Sequence, residues 1–160
     1  MAGLLQGLRR RGYLVETFLT NSPGDAGRRA RDIEADVDVL VVVGGDGTLN
    51  EILNGLPDPS RTPLAHLPTG TASVLGRELG LPKRAEDLIQ ILEGGHLRRL
   101  DMGLLGEGRF LTVASVGLDA MVTDEVRRQR GGTLGYFGYL LPILRALQHY
   151  HPPELKVSVD

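Results

Sequence analysis

Gly44, Gly45, Asp46, Gly47 and Thr48 stand in the run "VLVVVGGDGTLNEILNGL", between a block of valines and a segment of helical periodicity. Glycines let the backbone turn tightly and approach a ligand with no Cβ in the way. A helix opening near Thr48 adds unpaired N–H donors and a partial positive charge. Beyond the carboxyl end of a parallel strand, that combination makes a phosphate cradle. A P-loop would need a lysine beside its last glycine, and none is near. The dinucleotide fingerprint G-x-G-x-x-G fails as well, because Asn50 stands where the third glycine belongs. Asp46 sets this loop apart. A carboxylate beside a polyphosphate is repelled unless Mg²⁺ or the proton of a substrate hydroxyl intervenes, and both point to phosphoryl transfer. A plainer reading uses the same residues: Thr48 and Glu51 have the spacing of a capping box, and Asp46 beside glycine suits a turn.

The elements that must hold this loop alternate short apolar blocks with amphipathic stretches, which predicts an α/β fold with a parallel sheet flanked by helices. A strand is expected over Tyr13–Leu19, then a helix with Ala26, Ala30, Ile33 and Val37 on one face. "VLVVV" has the composition of a central strand covered on both sides. Leu49, Ile52, Leu53 and Leu56 give the next helix its apolar stripe, stopped by "GLPDP". "PLAHLP" is a short strand, and "TGTASVLGRELGLP" a loop and a helix ended by Gly80 and Pro82. Ala85, Leu88, Ile89 and Leu92 mark a helix closed by Gly94 and Gly95. Two antiparallel strands, "HLRRLDMGLL" and "RFLTVASVG", are expected to meet at a "GEG" turn. Beyond them come a helix near Leu118–Arg128, a long apolar helix in "LGYFGYLLPILRALQHY" kinked at Pro142, and a strand in "ELKVSVD". The long helix carries Tyr136, Phe137, Tyr139, Leu140, Leu141, Ile143 and Leu144 on more than one face, which suits contact with a second domain or with lipid.

Composition bounds the function. The 160 residues are 41% hydrophobic and 24% charged, as in ordinary globular chains. A net charge of -2 gives no electrostatic case for nucleic acid, and the basic cluster Arg9–Arg11 suits a solvated helix end. With no cysteine, disulfides and thiolate metal sites are excluded. No signal pattern or 18-residue apolar run occurs, so a cytoplasmic protein is expected, with room for a peripheral membrane contact and for homo-oligomers.

"VVVGGDGTLNEILNGL" followed by "LAHLPTGTASVLGRELGLP" resembles the diacylglycerol kinase catalytic domain. That superfamily holds bacterial lipid kinases, sphingosine kinases and, more distantly, NAD kinases. "FLTNSPGDA", "RRLDMG" and "RFLTVASVGLDA" extend the resemblance over almost the whole chain, and the second motif "PTGTA" favours the lipid kinase branch. The resemblance implies an NAD kinase-like, Rossmann-like sheet and an ATP site drawn from three places. Thr20 would contact nucleotide, Gly44, Gly45, Asp46, Gly47, Thr48, Leu49, Asn50 and Glu51 would wrap the phosphates, and Thr71 would complete the site. Asp46 and Asp119 match carboxylates that organise Mg²⁺ through water, with Asp46 also a candidate catalytic group. Asp101 also matches the family pattern, but a structural role in its strand is expected.

The same resemblance implies an ATP- and Mg²⁺-dependent transfer of the γ-phosphoryl group to a hydroxyl of diacylglycerol or a related lipid. Kinase action on a soluble acceptor such as NAD, and a non-catalytic nucleotide- or lipid-binding module, are the alternatives. Departures from the pattern are Ser73 and Val74 where Asn-Asp is usual, and Thr112 in place of asparagine. The family pattern also begins with a strand and an Asn-Pro-x-x-Gly loop ahead of anything seen here. Residues 1–152 are accordingly expected to form the nucleotide-binding domain, and 153–160 to open a β-rich domain that would carry the main base. On that division the 160 residues alone would be inactive.

Overall fold

The computed structural model describes residues 1–33, 37–128, 143–144, 147–148, 150–152, 154 and 156–158. They form two compact units, Met1–Thr112 and Val113–Asp160. The first unit runs α1 (Ala2–Arg10), α2 (Asp25–Arg31), β1 (Leu40–Gly44), α3 (Asp46–Gly55), β2 (Leu64–Pro68), α4 (Val74–Glu78), α5 (Ala85–Gly94), β3 (Gly103–Leu105) and β4 (Gly108–Phe110). The second contains α6 (Leu118–Arg128).

β1 and β2 pair in parallel, from Leu40 opposite Leu64 to Gly44 opposite Pro68, with α3 as the crossover between them. Side chains of a strand alternate between faces, and here the two faces feed two cores. Val42 is buried with Ala26, Ala30, Leu49, Ile52, Leu53, Leu56 and Leu75, the side of α2, α3 and α4. Val41 and Val43 pack instead against Leu4, Leu8, Leu67, Leu88 and Ile89, the side of α1 and α5. The valine block is therefore covered on both sides, and the sheet ends in a fixed place from which the glycine loop departs. Arg11 reinforces the α1–α5 side with ion pairs to Glu86 (2.5 Å) and Glu93 (2.9 Å).

The helix α2 stripe falls where its periodicity puts it, with Ala26 and Ala30 buried and Ile33 packed beside them. α5 ends as expected, with Gly95 in the left-handed region at φ +64. Other expectations need correction. Tyr13–Leu19 forms no strand: Tyr13 and Val15 lean on the α1–α5 core while Leu14, Phe18 and Leu19 are exposed. The alternation of a strand is present, but among the described residues nothing pairs with it, and a strand exists only as one rail of a ladder. β3 and β4 do form an antiparallel hairpin around Gly106 and Glu107, with only three residue pairs. A two-stranded hairpin is marginal alone, and Asp101 accordingly precedes β3, exposed and outside any strand. This hairpin is anchored to α3 by side chains. Asn54 Nδ2 donates to Arg109 O (2.9 Å), Arg109 N donates to Asn54 Oδ1 (2.8 Å), and the Arg109 guanidinium donates to Leu53 O (2.9 Å) and Leu56 O (2.6 Å). A cation on the last carbonyls of α3 is well placed against the helix dipole.

α6 spans the expected residues. The apolar helix expected around Pro142 lies outside the described residues, apart from residues 143–144 and 147–148, which are helical. Of "ELKVSVD", Glu154 and residues 156–158 are described, and they are not in a strand.

Candidate functional site

The loop at the end of β1 is shorter than its sequence suggests. α3 begins at Asp46, two residues before Thr48, with Gly45 as N-cap at φ -95 and ψ -176 and no side-chain cap. The capping box of Thr48 and Glu51 is thus not formed. Thr48 packs over Gly44 instead, where a Cβ would come within 2.9 Å of its Cβ. The first-turn amides of Asp46, Gly47 and Thr48 have no intrahelical acceptor, and none donates elsewhere among the described residues. Gly47 is exposed with nothing within 4 Å of the Cβ direction. The start of α3 therefore offers several donors and the positive end of a dipole to open space.

The second glycine turn lies against the first. A Cβ on Gly70 would sit 2.6 Å from Gly45 Cα, and one on Gly45 would sit 3.2 Å from Gly70 Cα, so the two backbones touch in a way only glycines allow. Thr69 N donates to Gly44 O (2.9 Å), continuing the sheet pairing into the loops. Ser73 adopts a left-handed conformation (φ 41, ψ 57) and its hydroxyl donates to Gly70 O (2.8 Å), which closes the turn ahead of α4.

Asp46 couples the two turns. Its Oδ2 accepts from Val74 N (3.0 Å) and its Oδ1 from Leu75 N (3.3 Å), so its half-buried carboxylate caps α4 from a distant part of the chain. Val74, where the family pattern has aspartate, therefore stands directly beside Asp46, and a second carboxylate there would add like charge. Each carboxylate oxygen keeps a further acceptor site, which is compatible with a water shared with Mg²⁺. Among the described residues no three His, Asp or Glu side chains gather as a metal site. A Mg²⁺ held chiefly by phosphate oxygens and water needs only one or two carboxylates, so the residues present fit it.

Asp46→Asn is expected to lower stability by about 1 kcal/mol, because an amide can accept from one of the two N–H groups but turns its own NH₂ toward the other. Amide exchange at Val74 and Leu75 should quicken in that variant; unchanged protection would show that the cap contributes little.

The remaining expected residues are more dispersed. Leu49 is in the core and its amide is spent on Gly45 O (3.1 Å). Asn50 is exposed and Glu51 half-buried on α3, the former accepting from Asn54 through its carbonyl. Thr71 is exposed on the second turn, and Thr20 is exposed in the loop ahead of α2. Asp119 is exposed in the first turn of α6, where its carbonyl accepts from Thr123 Oγ1 (2.9 Å). It belongs to the second unit.

Two residues matter that the sequence reading passed over. Asp25 shapes the Thr20 loop: Oδ2 accepts from the amides of Asn21 and Ser22, both at 2.8 Å, while Oδ1 accepts from Ser22 Oγ (2.9 Å) and Arg28. Those bonds, the Asn21 amide foremost, hold its pKa down to about 2 from the usual 3.8. A depressed carboxylate stabilises the fold above its unfolded pKa and loses that contribution as pH falls toward the folded one. Protection of the Asn21 and Ser22 amides is therefore expected to hold above pH 3.8 and to decline toward about 2, and Asp25→Asn should abolish the step. The Ser22-x-x-Asp25 spacing was the available signal. His66 is the other, buried on β2 with Nε2 3.1 Å from Gly44 O.

Outside these loops, α5 carries a shallow cavity of about 460 Å³ lined by Asp87, Gln90, Ile91, Gly94 and His96.

The model of the diacylglycerol kinase catalytic domain fits residues 2–105. A diacylglycerol kinase of Staphylococcus saprophyticus is 32% identical over 155 residues, covering 96% of this chain and 51% of the relative. One from Staphylococcus aureus is 30% identical, covering 96% and 49%. The chain spans about half the length of the curated relatives it matches. Among solved structures, a diacylglycerol kinase of Bacillus anthracis str. Sterne superposes with a TM-score of 0.52 at 33% identity, over 57% of this chain and 35% of that one. A further structure from that strain reaches 0.58 at 31% identity, over 79% and 43%.

Proposed function

Since the chain belongs to the diacylglycerol kinase catalytic domain family, we propose that its two glycine turns bind the phosphates of ATP for transfer of the γ-phosphoryl group to a lipid hydroxyl. The observation that carries this reading is the contact of Gly45 with Gly70 beneath the unpaired first-turn amides of α3. Amides fixed by a sheet and a helix bind an anion without reorganising, which is what phosphoryl transfer asks of a protein. In the reaction the acceptor oxygen bonds to the γ-phosphorus as its hydroxyl proton passes to a general base, the bond to the β-phosphate bridging oxygen breaks, and ADP leaves. Gly45, Asp46, Gly47 and Thr48 hold the phosphates at the start of α3, while Asp46 holds the second turn against the first. Thr20 and Thr71 flank the nucleotide. Mg²⁺, when bound, would neutralise charge developing on the phosphates, with Asp46 at the start of α3 the carboxylate assigned to its waters.

The acceptor in this proposal is diacylglycerol or a similar lipid alcohol, met at a membrane surface. Among the described residues no helix is long and apolar enough to cross a membrane. Residues 1–152 are assigned to nucleotide binding and 153–160 to the start of a β-rich domain bearing the main base. A general base contributes ~10²–10⁴-fold, so the 160 residues alone should not phosphorylate diacylglycerol measurably.

The test is a radiolabelled-ATP assay with diacylglycerol in mixed micelles, and with NAD as soluble acceptor. It is run on this chain and on a longer chain carrying both flanks. Labelled phospholipid from the longer chain only is the expected result. Labelled NAD phosphate would favour the soluble-acceptor reading, and no product from either chain would favour a binding module, for which Val74 beside Asp46 is the supporting observation.

A further inference from the structure

His66 is 5% exposed and, by strand alternation, shares the α3 face of β2 with Leu64. Its Nε2 lies 3.1 Å from Gly44 O. A carbonyl oxygen only accepts, so Nε2 carries the proton of this bond. Nδ1 is buried and meets no hydrogen-bonding group among the described residues. The ring's whole polar capacity is thus spent on one peptide, at a position in a sheet core where an aliphatic side chain would leave nothing unpaired.

That peptide is the one leading into the cradle. Gly44 O accepts both His66 Nε2–H and Thr69 N–H (2.9 Å), so the carbonyl is held from two sides. Among the described residues no peptide bond is cis. In a planar trans peptide the C=O and the next N–H point in opposite directions. Drawing Gly44 O toward β2 therefore turns Gly45 N–H away from it, and that amide, like those of Asp46, Gly47 and Thr48, donates to nothing among the described residues. We propose that His66 is a positioning residue: its Nε2–H bond to Gly44 O aims the Gly45 amide at a bound phosphate. Glutamine can present a donor at similar reach, whereas leucine fills the space without one.

The inference rests on the phosphate-binding reading above, and its test separates the two. Calorimetry with inorganic tripolyphosphate and with ATP is run on the 160-residue chain, His66→Leu and His66→Gln, alongside thermal unfolding. The expected result is a loss of about tenfold in affinity for both ligands in His66→Leu, against two- to threefold at most in His66→Gln. The unfolding midpoint of His66→Leu should be equal to or above that of the parent, because an unpaired buried nitrogen is removed. If the parent binds and His66→Leu binds equally well, the positioning role is overturned while the site stands. If the parent binds neither ligand, the phosphate site falls and the role of His66 falls with it. Nitrogen-15 spectra of the imidazole decide the matter even if His66→Leu does not fold: a protonated Nε2 and bare Nδ1, unchanged on adding tripolyphosphate, are expected, and the opposite tautomer overturns the inference.

Discussion

Gly47→Leu is expected to fold at least as well as the parent chain and to bind ATP at least about tenfold more weakly. The two halves of this expectation come from the same observation. Gly47 sits in the first turn of α3, is exposed, and has nothing within 4 Å of its Cβ direction. A side chain there meets no protein, and leucine favours a helix over glycine by up to about 1 kcal/mol. If the open space is where phosphate binds, an isobutyl group must occupy it. Loss of about 1.4 kcal/mol of binding is a factor of ten. Calorimetry and thermal unfolding on one preparation decide it. A variant that binds ATP like the parent would place the ligand elsewhere, and one that unfolds early would show that Gly47 serves the fold.

Gly55→Ala should have the opposite signature, a fold badly weakened by one methyl group. The methyl would overlap the Gly27 carbonyl oxygen and lie 2.7 Å from Gly27 Cα, while a Cβ on Gly27 would come within 2.9 Å of Glu51 O. α2 and α3 thus cross backbone to backbone, and neither side offers a flexible atom that could move aside. Room can come only by shifting α2, which opens the packing of Ala26 and Ala30 against Leu53 and Leu56. Overpacking of this kind typically costs 1–3 kcal/mol and more where backbone is opposed, so about 3 kcal/mol is expected. For a chain of this size that is a fall of roughly 10 °C in unfolding midpoint. Nucleotide affinity should fall too, because α2 carries the Thr20 loop and α3 the cradle. A midpoint raised by the helix preference of alanine would mean that the crossing is looser than described.

Wherever burial and period agree, the sequence announced the element. The valine block, the Leu49–Leu56 stripe and the closing Gly94–Gly95 pair each carry a local signal strong enough to survive packing. Tyr13–Leu19 carried the same signal and forms no strand, because pairing is a property of two segments and a single sequence shows only one. The glycine loop at the start of α3 was legible in the sequence, but the way it is held was not. From its neighbours Asp46 reads as a metal or turn residue; that it also accepts from the amides of Val74 and Leu75, brought to it by the β1–β2 register, no local pattern shows. Gly70 and His66 acquire their meaning only when β2 lies beside β1. The capping box failed for a local reason: α3 starts two residues early, so Thr48 faces Gly44 rather than the helix start.

The central claim is that the amides at the start of α3 bind the phosphates of a nucleotide. It is tested most directly by titrating ATP into the ¹⁵N-labelled chain and following the backbone amides one by one. The predicted result is a saturable movement of the Gly45, Asp46, Gly47 and Thr48 signals, reproduced by inorganic tripolyphosphate and absent with adenosine. Saturable binding of ATP that leaves those four amides still, or that adenosine reproduces in full, would contradict the account.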